Sequence, residues 1–151
     1  MKVNNIHYLT IRMEGGSVFM VEQNKLPFEF SIYEAKTYLD TCMAISTMIT
    51  RGAGAIGAAG GFAMAQAFLE KAPPEQARDE IRNTRPTAQN LFYAIDRVYE
   101  AGIKNGTEAA VKEAQKIAAE NVEEGRTIGL YGRELIKDGM KVMTHCNAGW
   151  L

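Results

Sequence analysis

Cysteine and histidine are scarce in this sequence of 151 residues, which contains two of each. Cys42 and Cys146 lie far apart and form no Cys-x-x-Cys pair, so the pattern of a secreted, disulfide-stapled domain is absent. His7 and His145 provide too few imidazole groups for a typical zinc site. We therefore expect a cytoplasmic protein that binds no metal.

Charge of one sign is lacking as well, because 17 Lys and Arg residues balance 18 Asp and Glu residues. The net charge of −1 gives no strongly basic surface, so nucleic acid is a poor candidate partner. Residues 52–69 carry no charge and reach the lower length limit of a membrane span, but most of them are Gly and Ala. These side chains contribute little transfer free energy, so we expect a closely packed buried helix and no membrane partner.

The first thirty residues alternate in the manner of β-strands. Leu9, Ile11 and Met13 alternate with more polar residues, and a glycine pair then turns the chain into a second apolar run at 18–21. A further turn precedes residues 26–30, where Pro27 suggests an edge strand. The sequence predicts a three-stranded antiparallel meander.

Helical spacing follows the meander. Ser31 and Glu34 have capping-box spacing, and apolar residues then recur at helical intervals up to Thr50. More helix is predicted over 52–69, 75–81, 87–102, from a cap at Thr107 to a bend or end at Gly125, and over 128–136. The predicted fold class is therefore α+β, with a meander followed by a helical bundle.

The carboxyl end indicates a second domain. A strand is predicted at 140–144 after the turn pair Asp138 and Gly139, and an uncovered Trp150 follows shortly after it. Natural domains rarely stop in this way. We expect a first domain over 1–137 and, over 138–151, the start of a second domain that is missing from this chain; a mobile tail is the alternative.

Residues 52–57 read Gly-Ala-Gly-Ala-Ile-Gly and match the dinucleotide fingerprint G-x-G-x-x-G. A nucleotide site needs a strand before the glycines, whereas an amphipathic helix is predicted there. Small residues at a helix start leave backbone N–H groups open to an anion, and the preceding Arg51 can grip phosphate oxygens. The alternative is that Gly57, Gly60 and Gly61 serve close helix packing, and both roles can hold together.

Residues 84–86 repeat this arrangement, since Thr-Arg again precedes a predicted helix start and Pro86 suits the first helical position. Arg51 and Arg85, at two helix starts, would then bracket one phosphorylated ligand. A solvated surface residue is the alternative for Arg85.

Cys146 lies where the last predicted strand gives way to a turn, the usual position of functional groups in an open α/β sheet. A thiol there can do acid–base chemistry. The alternative is a buried structural cysteine, the role we assign to Cys42 on the apolar stripe of the first helix. A metal ligand is disfavoured, because His145 and Cys146 would point to opposite faces of an extended strand.

Four groups of residues occur in an order and spacing typical of one family: Arg-Gly-Ala-Gly-Ala-Ile-Gly at 51–57, Thr-Arg-Pro-Thr-Ala at 84–88, Asn-Leu-Phe at 90–92 and Thr-His-Cys-Asn-Ala-Gly at 144–149. On these the sequence resembles the methylthioribose-1-phosphate isomerases, relatives of ribose-1,5-bisphosphate isomerase and of the regulatory subunits of translation initiation factor 2B. The last group is the most specific, because the regulatory relatives lack this cysteine. The resemblance covers the amino-terminal half of a family member, whose Rossmann-like carboxyl domain would begin near the final strand.

The resemblance implies an aldose–ketose isomerase of methionine salvage that acts on methylthioribose 1-phosphate without a metal or other cofactor. Arg51, Gly52, Ala53 and Arg85 would contact the small phosphorylated sugar, and Cys146 would be catalytic. The partner of the cysteine, an aspartate, would belong to the missing carboxyl-terminal domain, so this half alone is expected to be inactive. A homodimer is the family expectation. The anomeric phosphate blocks simple ring opening, so a proton or hydride must move between the first two carbons in a shielded pocket.

A non-catalytic regulatory or interaction module of the same superfamily is the alternative. The sequence also departs from the family pattern in two places. Gly54 stands where members commonly have proline, and residues 21–23 read Val-Glu-Gln in place of Ile-Asp-Gln. The first departure loosens the anion loop and leaves the 5-substituent of the sugar open, so 5-deoxyribose 1-phosphate is a competing substrate.

Overall fold

The computed structural model describes residues 2–146, and its first part is β structure. The strands are β1 (Lys2–Val3), β2 (Ile6–His7), β3 (Ile11–Glu14), β4 (Ser17–Val21) and β5 (Ile32–Ala35). β1 pairs with β2, while β3, β4 and β5 form an antiparallel sheet in that order. Val18, Met20 and Ala35 are fully buried on this sheet. The predicted three-stranded antiparallel sheet is confirmed.

The third strand lies at Ile32–Ala35, so the strand predicted at 26–30 is wrong. Residues 23–28 form turns in which the carbonyl oxygen of Lys25 accepts hydrogen bonds from the N–H groups of Phe28 and Glu29. The apolar residues of this segment do not reach the core, since Phe28 is 96% exposed. Backbone groups engaged in local turns are not available to a strand ladder.

Helix α1 covers Tyr38–Ser46 and is shorter than the predicted helix. Its capping box is formed by Thr37 and Asp40, whose carboxylate accepts a hydrogen bond from the Thr37 N–H at 2.9 Å. Ser31 and Glu34, the predicted box, instead take part in side-chain hydrogen bonds between β5 and the β4 region. Both pairs have the same spacing, and strand pairing decides between them.

Four more helices complete the fold: α2 (Ala53–Leu69), α3 (Pro74–Asn83), α4 (Gln89–Asn105) and α5 (Thr107–Gly132), with a 3₁₀ turn at Arg133–Leu135. α2 contacts the other four helices as well as β3 and β4. Every residue from Ile56 to Ala67 is buried, as predicted for this segment. An apolar helix of this kind is stable when neighbours enclose it on all sides. No helix within residues 2–146 combines the length and hydropathy that a membrane crossing requires.

Glycines allow α4 to approach α2 closely. A Cβ atom on Gly60 would collide with the side chain of Leu91, and one on Gly57 would lie 3.1 Å from the carbonyl oxygen of Asn90. The close contact outweighs the helix propensity that glycine lacks, which is about 1 kcal/mol per residue. The packing role predicted for these glycines agrees with this geometry.

α5 continues through Gly125, so the bend or end predicted there is wrong. Thr107 is its first residue and does not cap it, because the Thr107 hydroxyl donates to the carbonyl oxygen of Phe68 at 3.4 Å. Only the first half of α5 is buried, through Ala110, Ala114 and Ile117. A glycine on an open helix face has no neighbour that would force a kink there.

Residues 140–144 form no strand, contrary to the prediction, and all of them are exposed. A strand needs a hydrogen-bonded neighbour, and none lies beside this segment within residues 2–146. The turn at Asp138 and Gly139 is confirmed. The α+β class is confirmed too, while the division at residue 137 stays a prediction. Residues 147–151, including Trp150, lie outside the described residues.

Candidate active site

The segment between α1 and α2 leads to an open helix start. Gly52 caps α2 with φ 92° and ψ 136°, in the region of positive φ where a side chain is strained. No side chain caps this end of the helix. The N–H groups of Ala53 and Gly54 therefore lack intrahelical partners, and the helix dipole adds partial positive charge around them. The start of α2 is suited to bind an anion.

Arg51 is tied to Gln23, which follows β4. Its main-chain N–H donates to Oε1 of Gln23 at 2.6 Å, and its Nη2 donates to the main-chain oxygen of Gln23 at 2.7 Å. Gln23 is 1% exposed, and its own N–H donates to the carbonyl oxygen of Ile49 at 2.9 Å. Nε of Arg51 is buried without a hydrogen-bond partner among the described residues. The guanidinium is thus held, half-buried, beside the start of α2.

A cavity of about 990 Å³ opens at this end of α2. Its walls are residues 7–13, the start of α2 and the carboxyl-terminal half of α5. Many of the side chains that line it are apolar, among them Ile11, Phe62 and Val122, while Asn121 and Glu124 are polar groups on α5. This volume lies in the usual range for small-molecule sites.

Cys146 lines the same cavity as Arg51, Gly52 and Ala53. Its side chain is exposed, and its backbone has φ 66°, in the left-handed region that few residues other than glycine adopt. Four of the five site residues predicted from the sequence thus surround one space. Their roles in binding and catalysis stay predictions.

Arg85, the fifth predicted site residue, does not belong to the lining of this cavity. It lies half-buried in the turn between α3 and α4. The helix start predicted directly after it is wrong, because Pro86 lies in a turn closed by the Ala88 N–H, which donates to the Arg85 carbonyl at 3.0 Å. α4 begins at Gln89. A substrate contact of Arg85 stays a prediction.

Two residues of the site, Gln23 and Asn121, were not among those predicted. Gln23 carries one signal, its place in the family segment at 21–23. Asn121 carries none, because its neighbour Gly54 is distant in the sequence and the contact depends on how α5 crosses α2. Sequence spacing within one helix does not reveal contacts between helices.

Other arginines of the helical body are held in ion pairs. Asp96 binds Arg78 and Arg82 at 2.7 Å each. Burial acts to raise the pKa of Asp96, but the hydrogen bonds from the two arginines outweigh it and hold that pKa below its usual value. The hydrogen bond to Glu120 raises the pKa of Arg97. Arg51 differs, because its bonds go to the uncharged Gln23 and its positive charge is not neutralised by them.

Cys42 is buried on α1, as predicted for a core cysteine. Burial, followed by the nearby carboxylates of Glu80 and Glu70, raises the pKa of its thiol to about 12. A thiol in this state is neither a nucleophile nor a base near neutral pH. Of the two cysteines, only Cys146 is exposed.

Comparison with known proteins places the sequence in a family. The Initiation factor 2 subunit family model matches residues 50–151. The methylthioribose-1-phosphate isomerase of Thermosipho melanesiensis is 38% identical over 159 residues, covering 95% of this chain and 45% of that protein. The isomerase of the same name from Thermotoga neapolitana is 40% identical over 153 residues, covering 94% of this chain and 45% of that protein.

Two solved structures share the fold. The 5-methylthioribose 1-phosphate isomerase of Pyrococcus horikoshii OT3 superposes with a TM-score of 0.80 at 36% identity, over 86% of this chain and 41% of that one. Subunit delta of the translation initiation factor eIF-2B from A. fulgidus superposes with a TM-score of 0.73 at 33% identity, over 86% of this chain and 42% of that one. This chain spans about 45% of the length of the curated relatives. The resemblance inferred from the motifs is confirmed: the chain belongs to the initiation factor 2 subunit family.

Proposed function

We propose that this chain carries the phosphate-binding part of an isomerase that converts a 5-substituted ribose 1-phosphate into the corresponding ribulose 1-phosphate. The observation that carries the proposal is the shared cavity, which Arg51, the start of α2 and Cys146 line together. The relatives named methylthioribose-1-phosphate isomerase support the reaction class. Methylthioribose 1-phosphate is the substrate we propose, in a reaction of methionine salvage.

The phosphate group would bind at the start of α2. The N–H groups of Ala53 and Gly54 and the guanidinium of Arg51 offer several donors near one point. Hydrogen bonds to charged groups contribute about 1.5–3 kcal/mol each. Because Gln23 already fixes Arg51, binding loses little side-chain entropy there.

The character of the cavity wall supports an apolar 5-substituent. Ile11, Phe62 and Val122 would contact the far end of a sugar whose phosphate lies at α2. Glu124 on the same wall would repel a second phosphate group, and Arg12, which also lines the cavity, is already paired with Glu14 at 2.8 Å. A methylthio or deoxy substituent therefore fits this wall better than a 5-phosphate.

Cys146 would act as one member of an acid–base pair. A thiol can give a proton to the reacting part of the sugar, and the thiolate can take one back, provided that a second group works in the opposite sense. The family resemblance assigns this second role to an aspartate outside the present sequence.

Turnover and binding of the complete gene product test the proposal. Cys146→Ser should lower turnover of methylthioribose 1-phosphate by about 10²–10⁴-fold, the usual contribution of an acid–base group, and should leave ligand affinity nearly unchanged. Arg51→Ala should weaken ribose 1-phosphate binding by about 10–100-fold in isothermal titration, because it removes a charge-assisted hydrogen bond.

Matched controls separate these effects from general damage. Cys42→Ala removes the buried thiol, and Lys104→Ala removes an exposed positive charge on α4, so neither should alter turnover or binding. A fully active Cys146→Ser enzyme would reject the catalytic role of Cys146. Unchanged affinity of Arg51→Ala would remove Arg51 from the phosphate site.

A regulatory module without catalysis is the second candidate, favoured by the likeness to eIF-2B subunit delta. It would bind a phosphorylated metabolite or a partner protein and release it unchanged. A complete gene product that binds ribose 1-phosphate but shows no turnover would support this candidate. Homodimer formation and a cytoplasmic location stay predictions in either case.

A further inference from the structure

We infer that Gln23 is a positioning residue for the phosphate site and acts through Arg51. The inference rests on the proposed function, because it assigns a role in the binding of the same phosphate group. Gln23 does not belong to the lining of the cavity, so we assign it no direct contact with the ligand. Its effect on the ligand would be transmitted entirely by the residue that it holds.

Gln23 holds Arg51 at two atoms. The side chain of Gln23 accepts the main-chain N–H of Arg51 at 2.6 Å, and its main-chain oxygen accepts Nη2 of Arg51 at 2.7 Å. The first bond fixes the backbone immediately before Gly52, and the second fixes the direction of the guanidinium. A residue held at its backbone and at the tip of its side chain keeps little freedom of orientation.

Gln23 is itself anchored. Its N–H donates to the carbonyl oxygen of Ile49 at 2.9 Å, and the residue is 1% exposed. Burial of an amide side chain is unfavourable unless its polar atoms find partners. The short bond from Arg51 gives Oε1 such a partner, so the position of Arg51 and the burial of Gln23 depend on each other.

The bonds to Gln23 also leave donors for a ligand. They engage Nη2 of Arg51, while Nη1 takes part in neither of them. The guanidinium keeps its full charge, because both acceptors on Gln23 are neutral. The main-chain oxygen of Gln23 is neutral and aims the guanidinium without competing with phosphate, whereas a carboxylate in that place would compete for it.

Substitution of Gln23 in the complete gene product tests the inference. Gln23→Met has a side chain of nearly the same length without the accepting oxygen, so it removes the bond from the Arg51 N–H and keeps the main-chain bond to Nη2. It should weaken ribose 1-phosphate binding by about tenfold or more in isothermal titration, because misplaced binding groups lose much of their effect. Gln66→Met is the matched control. Gln66 is also 1% exposed, and it bonds the carbonyl oxygens of Gly16 and Ala35, away from the cavity. The Gln66→Met variant should lower the midpoint of thermal unfolding but leave the affinity for ribose 1-phosphate unchanged.

A double-mutant cycle separates positioning from a general structural role. Arg51→Ala keeps the main-chain N–H that Gln23 binds but removes the guanidinium. If Gln23 acts by aiming that guanidinium, Gln23→Met should add no further loss of affinity to Arg51→Ala. Amide hydrogen exchange of the wild-type protein provides a test that does not depend on whether the variants fold. The Arg51 N–H should exchange slowly without ligand, because Gln23 accepts it.

Each contrary result has a distinct meaning. Unchanged binding by Gln23→Met, equal weakening by Gln66→Met, additive losses in the double mutant or rapid exchange of the Arg51 N–H would each overturn the role of Gln23. Absence of ribose 1-phosphate binding by the wild-type protein would instead overturn the proposed function on which the role rests.

Discussion

The carboxamide of Asn121 occupies the space in which a side chain on residue 54 would stand. A Cβ atom built on Gly54 would lie 2.6 Å from Nδ2 of Asn121, well inside van der Waals contact. Both residues line the cavity at the start of α2. Glycine at position 54 thus makes room for a polar group from α5.

Gly54→Ala should change ligand binding more than stability. The added methyl group meets the end of a flexible, exposed side chain, which can rotate away at small cost, and alanine favours helix by up to about 1 kcal/mol over glycine. The displaced carboxamide would then enter the cavity and weaken ribose 1-phosphate binding, as measured by isothermal titration.

Asn121→Ala supplies the control for that experiment. It should restore binding in the Gly54→Ala background, because no carboxamide remains to be displaced. A Gly54→Ala protein with wild-type affinity, or a double variant without recovery, would show that Asn121 does not shape the site.

The two cysteines should differ sharply in reactivity toward iodoacetamide near neutral pH. Cys146 is exposed, whereas burial and two carboxylates raise the pKa of Cys42 to about 12. Alkylation needs thiolate and access, so peptide mass spectrometry should find the label on Cys146 alone. Cys42 should react only after denaturation, and labelling of Cys42 in the folded protein would contradict its position in the core.

Gly60→Ala should destabilise the protein, although alanine favours helix. The new methyl group would collide with Leu91 and lie 3.4 Å from Cγ1 of Ile95. Overpacking of this kind typically costs about 1–3 kcal/mol. Gly129→Ala on α5 meets no atom within 4 Å and should instead stabilise by up to about 1 kcal/mol. Urea unfolding midpoints that shift in the same direction would refute the close contact of α2 with α4.

Stability should fall at alkaline pH through Tyr38. Its hydroxyl donates to Oε2 of Glu80 at 2.8 Å, and this bond, followed by burial, raises the pKa of Tyr38 to about 12. An unfolded tyrosine has a pKa of about 10, so the stabilising contribution is complete below pH 10 and is lost as the pH rises to about 12. Tyr38→Phe should make the free energy of unfolding less dependent on pH over this window. Tyr131→Phe, at a residue that is 79% exposed, should leave that dependence unchanged.

Helical periodicity predicted most of the helical body. The apolar stripe through Leu91, Ile95 and Val98 and the uncharged Gly/Ala run are properties of one segment each, and a single segment is enough to recognise them. The predicted start of the helix between Ser31 and Thr50 was wrong because two capping patterns overlap in this segment. The choice between them depends on pairing of β5 with β4, which lies elsewhere in the chain.

The candidate site also contains residues that local sequence patterns reveal and residues that only the fold brings together. Arg51 and Gly52 could be found because a charged residue before a glycine-rich helix start is a local pattern. Asn121 could not, since it meets the α2 start only through tertiary packing. Gln23 lies in the family segment at 21–23, but its contact with Arg51 is also a product of tertiary packing. The strand at 140–144 was predicted from its residues alone, although a strand also requires a neighbour to bond with.

The helix that fills the centre of the molecule also presents its first residues to the cavity. Residues 56–67 have no solvent-exposed side, so α2 cannot tilt or slide unless the surrounding layers separate. The main-chain amides at the start of α2, which we propose bind the phosphate, are therefore as rigid as the helical bundle and not as mobile as a surface loop. Warming that loosens the interior should consequently release the ligand in the same cooperative step in which the protein melts.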